Sequence, residues 1–166
     1  VMQVFRQPFW KADASRMTLK PFIYISAIFL AIVANVACSD TFVFHPIIII
    51  GPIMYLMIFP ACLTQYFYLT FTDDELLIKN GVYTFWHREY KYSDITKISL
   101  SGGTGKVGPY IKVYTKNNPR YAWSYVIELV STKDFPDLLD LMKSKNLPVE
   151  TDKGFDYLVD RNFTRF

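Results

Sequence analysis

The sequence predicts a membrane-embedded α-helical hairpin followed by a small β-rich domain of the α+β class. Two observations indicate the hairpin: residues 21–39 carry no charged side chain, and residues 41–72 carry none apart from the titratable His45. A third observation indicates the domain. From residue 66 onward, short aromatic and β-branched runs alternate with turn residues, and one amphipathic helix follows them. We expect a sheet, sandwich or partly open barrel that this C-terminal helix closes.

The first apolar stretch, residues 21–39, has the length of a transmembrane helix. As a helix it would extend about 28 Å at roughly 1.5 Å per residue, close to the hydrocarbon thickness of about 30 Å. A buried helix of a soluble core usually keeps one polar face, whereas this stretch is apolar on all sides. It is also longer than the apolar region of a signal peptide, and a second apolar stretch follows it at once.

The second apolar stretch, residues 42–66, contains Pro46, Pro52 and Pro60. Membrane helices tolerate proline when neighbouring groups satisfy the freed carbonyls, and Gly51 before Pro52 predicts a kink. A re-entrant segment is the alternative to a full span. Because the linker of residues 39–46 is short, we expect the two helices to be antiparallel neighbours.

Charge asymmetry predicts an orientation in the membrane. The linker carries Asp40 and no lysine or arginine, whereas residues 1–20 carry four basic side chains: Arg6, Lys11, Arg16 and Lys20. By the positive-inside rule, both termini and the β domain should lie in the cytoplasm. The predicted location is therefore the inner (cytoplasmic) membrane.

The predicted domain organisation has four parts. Residues 1–20 form a cytoplasmic juxtamembrane segment, 21–66 the transmembrane hairpin, 67–146 the β domain with its helix, and 147–166 a polar tail. The expected strands are residues 66–71, 75–79, 82–90, 95–100, 110–116 and 121–130. Asn80-Gly81, between two of these runs, predicts a two-residue hairpin with a type I′ turn.

One helix is expected to end the β domain. Ser131 or Thr132 is the expected N-cap. Asn146 and Pro148 should end the helix. Its predicted buried face follows the helical spacing and consists of Phe135, Leu138, Leu139 and Met142.

This order of elements resembles the bacterial pleckstrin-homology (PH)-like domains of small membrane proteins. Their degenerate pattern is a strand leading into T-D-E-x-L-x-I-x-x-G, then Y-x-D-I-x-x-I, an alternating strand pair and a C-terminal helix. The matching positions are Thr72, Asp74, Glu75, Leu77, Lys79, Gly81, Tyr92, Asp94, Ile95 and Ile98. The resemblance covers residues 64–146 and implies a PH-like fold, no enzymatic activity and ligands that vary among members.

No pattern in the sequence indicates catalysis, a cofactor or a metal. The Gly-rich loop of residues 101–108 lacks the first glycine of a P-loop and the Ser or Thr after its lysine. The two histidines, His45 and His87, are expected on opposite sides of the membrane. Cys38 and Cys62 are separated in the same way, so no tetrahedral metal site can form. We therefore expect a non-enzymatic protein without a cofactor.

The charge pattern predicts a binding surface in the β domain. Residues 79–120 carry eight basic side chains against Glu89 and Asp94, whereas residues 128–160 are mainly acidic. The predicted contact face consists of Lys106, Lys112, Lys116 and Arg120. We expect a membrane-anchored binding or scaffold protein that contacts a cytoplasmic protein partner. Anionic lipid headgroups of the bilayer are a second expected ligand.

Two other functions differ from this one in the kind of partner or in the working part of the chain. Nucleic acid is excluded as a partner, because the net charge from Asp73 onward is only +1 (14 basic, 13 acidic) and no recognition motif is present. In the alternative function, the hairpin is the working part of a small membrane-complex subunit or an immunity-type protein. The sequence determines no oligomeric state.

Overall fold

The computed structural model describes residues 2–13, 15, 19–38, 47–103 and 108–163. Within these ranges the chain is an α+β protein with two four-stranded sheets and four α-helices. The strands are β1 (Gln3–Phe5), β2 (Phe67–Phe71), β3 (Glu75–Asn80), β4 (His87–Lys91), β5 (Ile95–Ser101), β6 (Tyr110–Thr115), β7 (Ser124–Val126) and β8 (Val149–Thr151). The helices are α1 (Lys20–Ala37), α2 (Ile47–Leu63), α3 (Phe135–Ser144) and α4 (Lys153–Phe163).

The two apolar stretches form helices, but the prediction that they cross a membrane is wrong. No helix in the described ranges combines the length and the apolar character that a span requires. α1 has 18 residues and starts with Lys20 and Pro21, and α2 has 17 residues, both at the lower limit of the roughly 17–25 residues that form a span. The predicted transmembrane hairpin is corrected accordingly. So is the inner-membrane location with both termini and the β domain in the cytoplasm, because that location depended on the spans.

α1 and α2 are antiparallel neighbours, as the short linker predicts. The Phe22 ring, near the start of α1, stacks on Tyr55 and Phe59 in the second half of α2, with centroids 5.1 and 6.1 Å apart. Further along α1, the Phe29 ring lies so close to Gly51 that a Cβ there would be 2.1 Å from it. α2 continues through Pro52 and Pro60. The linker of residues 39–46 lies outside the described residues.

The N-terminal segment belongs to the β domain, which differs from the predicted juxtamembrane segment. Sheet 1 has the order β1-β2-β3-β4, and β1 pairs antiparallel with β2 so that Phe5 lies opposite Leu69. Phe5 is buried and meets Phe71 edge to face at 5.9 Å. Hydrophobic burial of this aromatic side chain fixes the start of the chain onto the core. The hairpin of α1 and α2 is thus an insertion between two paired strands.

The connection between β3 and β4 is longer than the predicted two-residue turn. A type I′ turn requires positive φ at both central residues, and among the described residues only Asn146 and Gly103 have positive φ. Instead, the Asn80 Oδ1 accepts from the N–H groups of Val82 and Tyr83 at 2.9 and 2.8 Å. This side-chain bonding replaces a backbone turn. As a result β4 starts at His87, five residues later than predicted.

Sheet 2 has the order β7-β6-β5-β8 and packs its inner face against sheet 1. β5 and β6 match the predicted strands to within one residue at each end, but β7 has only three of the ten predicted residues. The chain after β7 joins the two sheets at one corner. There Tyr66 bridges Ile127, and Leu129 N–H donates to Phe67 C=O at 3.2 Å.

The predicted C-terminal helix is confirmed as α3. Phe135, Leu138 and Met142 are buried, whereas Leu139 is partly buried. Ser131 accepts a hydrogen bond from Lys133 N–H at the preceding 3₁₀ turn. Asn146 ends the helix with φ 54°, and Leu147 N–H donates back to Met142 C=O at 3.0 Å. A left-handed residue followed by such a bond is the Schellman arrangement of helix ends.

The polar tail docks on the domain as a folded part of it. β8 pairs parallel with β5, with Ile98 opposite Val149. α4 follows, and its Phe155 is fully buried and stacks on Phe135 at 4.6 Å. The tail therefore covers the end of the core beside α3.

Replacing Phe155 with alanine should destabilise the fold by about 3–5 kcal/mol, because it removes a buried aromatic ring and leaves a cavity. Tyr157→Ala is the matched control, since Tyr157 lies on the same helix and is 63% exposed. It should change the free energy of unfolding by less than about 0.5 kcal/mol. Urea unfolding of both variants measures the difference. Equal midpoints for the two variants would show that α4 does not pack on the core.

Candidate functional site

The described members of the predicted basic contact face lie on β6 and in the connection that follows it. Lys112 lies on the outward face of β6, with its Nζ 5.5 Å from the centre of the Tyr110 ring. Lys116 and Arg120 are exposed in the connection between β6 and β7. Four residues along an extended chain separate the backbones of Lys112 and Lys116 by about 13 Å. Lys106 lies outside the described residues, so its place in a contact face stays a prediction.

Sheet 2 also neutralises part of its own positive charge. Lys97 forms an ion pair with Glu150 of β8 at 2.5 Å, and its Nζ lies 5.9 Å from the centre of the Tyr114 ring. Glu150 lies 53 residues after Lys97, in the acidic region of the sequence, so this pairing could not be predicted from charge runs. The outer face of sheet 2 is therefore less basic than the strand sequences indicate.

The start of the Gly-rich loop lies against the N-terminus of α4, and that helix end is already capped. The Asp152 carboxylate accepts hydrogen bonds from the Ser101 hydroxyl and from the N–H groups of Gly102 and Phe155, the latter two at 3.0 and 2.7 Å. Gly102 is packed so tightly on Gly154 that a Cβ would lie 2.2 Å from its carbonyl carbon. A protein carboxylate thus occupies the place that a phosphate would take at a helix N-terminus.

The site that the structure favours is the outer edge of β4. Asn80 N–H donates to Trp86 C=O, and Tyr92 N–H donates to Asp74 C=O, each at 3.0 Å. Bonded pairs alternate along an antiparallel ladder, so Arg88 and Tyr90 also direct their backbone groups toward β3. The intervening residues His87, Glu89 and Lys91 direct their N–H and C=O groups away from the sheet. In the described part of the chain, no other strand covers this edge.

A cleft of 860 Å³ runs along this edge, between β4 and the β6–β7 side of sheet 2. Its aromatic lining includes Trp86, Tyr90, Tyr121, Trp123 and Tyr125. The Trp86 and Trp123 centroids are 6.5 Å apart, and Trp123 remains 51% exposed. Rings in this arrangement offer a large apolar surface with polar atoms at its rim.

Two phenols meet inside the cleft. The Tyr90 and Tyr125 hydroxyls are 3.0 Å apart and share a hydrogen bond. Burial, followed by this bond, raises the pKa of Tyr90 well above its usual range. The phenol therefore stays neutral at physiological pH, and the cleft wall carries no charge at this point.

Sequence reasoning missed the β4 edge because the strand appears unremarkable in isolation: His87–Lys91 has no apolar alternation. The usable signal was aromatic. Trp86 precedes a charged run and Tyr90 lies within it. Trp123 and Tyr125 share a face of the predicted strand of residues 121–130. Only pairing in the folded domain shows that these two aromatic pairs meet.

Among the described residues, no group of three or more His, Cys, Asp and Glu side chains converges as metal ligands would. The expectation of a non-enzymatic protein without a cofactor stays a prediction. A comparison of the chain with protein-family models and with curated proteins gives no match. The resemblance to PH-like domains therefore also stays a prediction.

Asp152→Ala should lower the free energy of unfolding at pH 7 by about 0.5–2 kcal/mol, the usual effect of losing an N-cap. Asp152→Asn keeps acceptor atoms in place and should retain most of that stability. Burial opposes ionisation of Asp152, but bonds from Ser101, Gly102, Phe155 and Gly154 outweigh it and lower its pKa.

The same capping interaction should depend on pH. A carboxyl whose pKa is lowered by folding stabilises the fold above its unfolded value of about 3.9, and this stability is lost as the pH falls through the folded pKa. The native chain should therefore lose its advantage over Asp152→Asn below about pH 4. Denaturant unfolding at several pH values measures this, and a difference that stays constant down to pH 2 would contradict it.

Proposed function

We propose that the chain is a non-enzymatic binding module that holds an extended segment of a protein partner along β4. The observation that carries the proposal is the open edge of β4. There the alternate residues His87, Glu89 and Lys91 present their backbone N–H and C=O groups beside an aromatic cleft. Strand addition uses both features. Main-chain hydrogen bonds supply affinity, and pockets for alternate side chains supply specificity.

The energetics of such a complex are adequate for specific recognition. Each backbone hydrogen bond contributes about 0.5–1.5 kcal/mol net. Apolar side chains entering the cleft add about 25 cal/mol per Å² of surface removed from water. The scaffold is already ordered, because β4 is held by β3 along its full length. The ligand segment alone loses conformational freedom on binding, which limits the entropic penalty.

The expected role of anionic lipid headgroups is not carried into this proposal. That role required a domain held against a bilayer by a transmembrane hairpin, and no described helix can cross a membrane. The contacts of Lys97 and Lys112 with nearby tyrosine rings also engage part of the positive charge. Binding of a protein partner requires neither a nearby bilayer nor a strongly basic surface. The resemblance to PH-like domains is compatible with it, although such a fold hosts many functions.

Glu89→Pro should weaken binding of an added strand, because it removes the central outward N–H of β4. Proline is tolerated at a sheet edge when its nitrogen faces solvent, so the fold itself should be retained. Losing one backbone hydrogen bond of about 1 kcal/mol reduces affinity about fivefold. Glu89→Ala keeps the N–H and is the matched control for loss of the side chain.

The measurement uses peptides selected on the full chain from a displayed library of random sequences. Residue-resolved amide hydrogen exchange should show that a selected peptide protects the amides of His87, Glu89 and Lys91. The amides of Arg88 and Tyr90 should change little, since they already bond to β3. Equal affinity for both Glu89 variants, without protection of the outward amides, would disprove strand addition at β4.

A second candidate function places the working surface on the α1–α2 hairpin, as part of a subunit of a larger complex. Large apolar side chains are exposed on both helices: Ile23, Ile25, Ile28, Leu30 and Ile32 on α1, and Ile50, Ile53, Met54, Leu56 and Met57 on α2. Contiguous apolar surface of this kind commonly marks an interaction site. A partner with a matching apolar surface would contact the hairpin directly.

Exchanging the hairpin separates the two candidates. Residues 20–63 are replaced by an unrelated two-helix hairpin, and β1 and β2 are kept so that sheet 1 can form. Under the strand-addition proposal, a β4-binding peptide keeps its affinity to within about twofold, because no described residue of the hairpin lines the cleft beside the edge. Loss of peptide binding by a folded chimera would favour the hairpin as the working part.

A further inference from the structure

The side chains on the outer face of β4 alternate between basic and acidic types. Successive positions on this face carry the His87 imidazole, the Glu89 carboxylate and the Lys91 ammonium, and all three residues are exposed. Lys79 of β3 lies directly opposite His87, and Arg6 lines the same shallow cleft as Lys79, His87 and Glu89. The His87 position is therefore surrounded by basic groups, whereas Glu89 provides a single acidic position between two basic ones.

Strand geometry transfers this pattern to whatever pairs with β4. Residues directly opposite each other in a ladder place their side chains on the same face of the sheet. A ligand residue opposite His87, Glu89 or Lys91 thus faces these charges. Complementarity requires acidic, basic and acidic side chains at the three positions. The order reads the same from either end, so it holds for both strand directions.

The intervening ligand residues face the aromatic cleft. Arg88 and Tyr90 lie opposite Ile78 and Leu76, which are buried on the inner face of sheet 1. Ligand side chains opposite them therefore point into a cleft lined by Trp86, Arg88, Trp123 and the hydrogen-bonded Tyr90–Tyr125 pair. Large apolar or aromatic residues bury the most surface in such a setting.

The same charge order disfavours a second copy of this chain as the occupant. Two β4 strands paired antiparallel about Glu89 would place Glu89 opposite its own equivalent, and Lys91 opposite His87. Like charges directly opposite each other destabilise a strand pair. Charged side chains on an edge are a general means of preventing self-association. A segment of a different protein is therefore the better fit.

On these grounds, and resting on the proposed function, we propose that the ligand is an extended segment with acidic, basic and acidic residues at alternate positions. Large apolar residues separate them. Opposite His87 the acidic residue matters most, because Glu75 already lies opposite Lys91 within sheet 1. The proposed ligand is therefore an amphipathic strand in which charged and apolar residues alternate, with one defined order of charges.

Two synthetic peptides test the order of charges on the full chain. One is Asp-Val-Lys-Trp-Asp-Val, and the other has aspartate in place of its central lysine. The native chain should bind the lysine-centred peptide about fivefold more tightly, since one cross-strand pair contributes up to about 1 kcal/mol. General attraction to basic groups would favour the more acidic peptide, so it cannot produce this result.

Reversing one charge on the protein should reverse the preference. With Glu89→Lys, the aspartate-centred peptide should become the tighter ligand by a similar factor. Asp137→Lys is the matched control. It makes the same change in charge at an exposed position of α3 and should leave the preference for the lysine-centred peptide intact. Isothermal titration calorimetry measures affinity, and amide exchange of His87, Glu89 and Lys91 reports the binding mode.

Each contrary outcome identifies what fails. Equal affinity for both peptides, with protection of the outward β4 amides, would overturn the charge order and leave strand addition in place. Absence of protection by either peptide would overturn the proposed function together with this inference. Protection that appears without peptide and rises with protein concentration would show a second copy on the edge, which also overturns the proposal.

Discussion

β2 holds together the parts of the chain that lie furthest apart in sequence. It pairs with β1 on one side and with β3 on the other, and its first residue accepts a bond from Leu129 beyond β7. These bonds join the N-terminal segment, the end of the hairpin and the second sheet at one place. Tyr66, just before β2, is buried there, and its hydroxyl accepts a hydrogen bond from Ser15 at 3.0 Å. Backbone groups buried at such a junction must be paired, because each unpaired one would be costly.

The hairpin and the candidate site are both consequences of that arrangement. Since β1 and β2 are paired, the chain between them has to leave the sheet and return, and α1 and α2 form that excursion. β1 also covers one edge of sheet 1, which leaves β4 at the other edge. The corner formed by residues 127–129 brings β7 to the side of the cleft opposite β4. An edge beside an aromatic wall therefore follows from the topology and does not depend on any single side chain.

Much of the β domain could be predicted because its signals are local. β2, β3, β5 and β6 were predicted to within one residue at each end, as period-two alternation and β-branched or aromatic residues allow. The buried face of α3 and its end at Asn146 likewise follow from spacing and a turn residue. The β3–β4 turn was mispredicted because the Asn80 side chain accepts hydrogen bonds from the N–H groups of Val82 and Tyr83. The candidate site was missed because charge runs do not show which residues end up paired, as Lys97 and Glu150 demonstrate.

By itself, the sequence determined the two apolar helices, the alternating strands and the amphipathic helix α3, because residue periodicity acts within a few residues. The membrane prediction failed because no helix in the described ranges combines the length and the apolar character of a span. Only the tertiary structure decided that β1 and α4 belong to the domain, because Phe5 packs on Phe71 and Phe155 packs on Phe135, partners far away in the chain. It also decided that β4 is an open edge, since strand order depends on long-range pairing that no local pattern encodes.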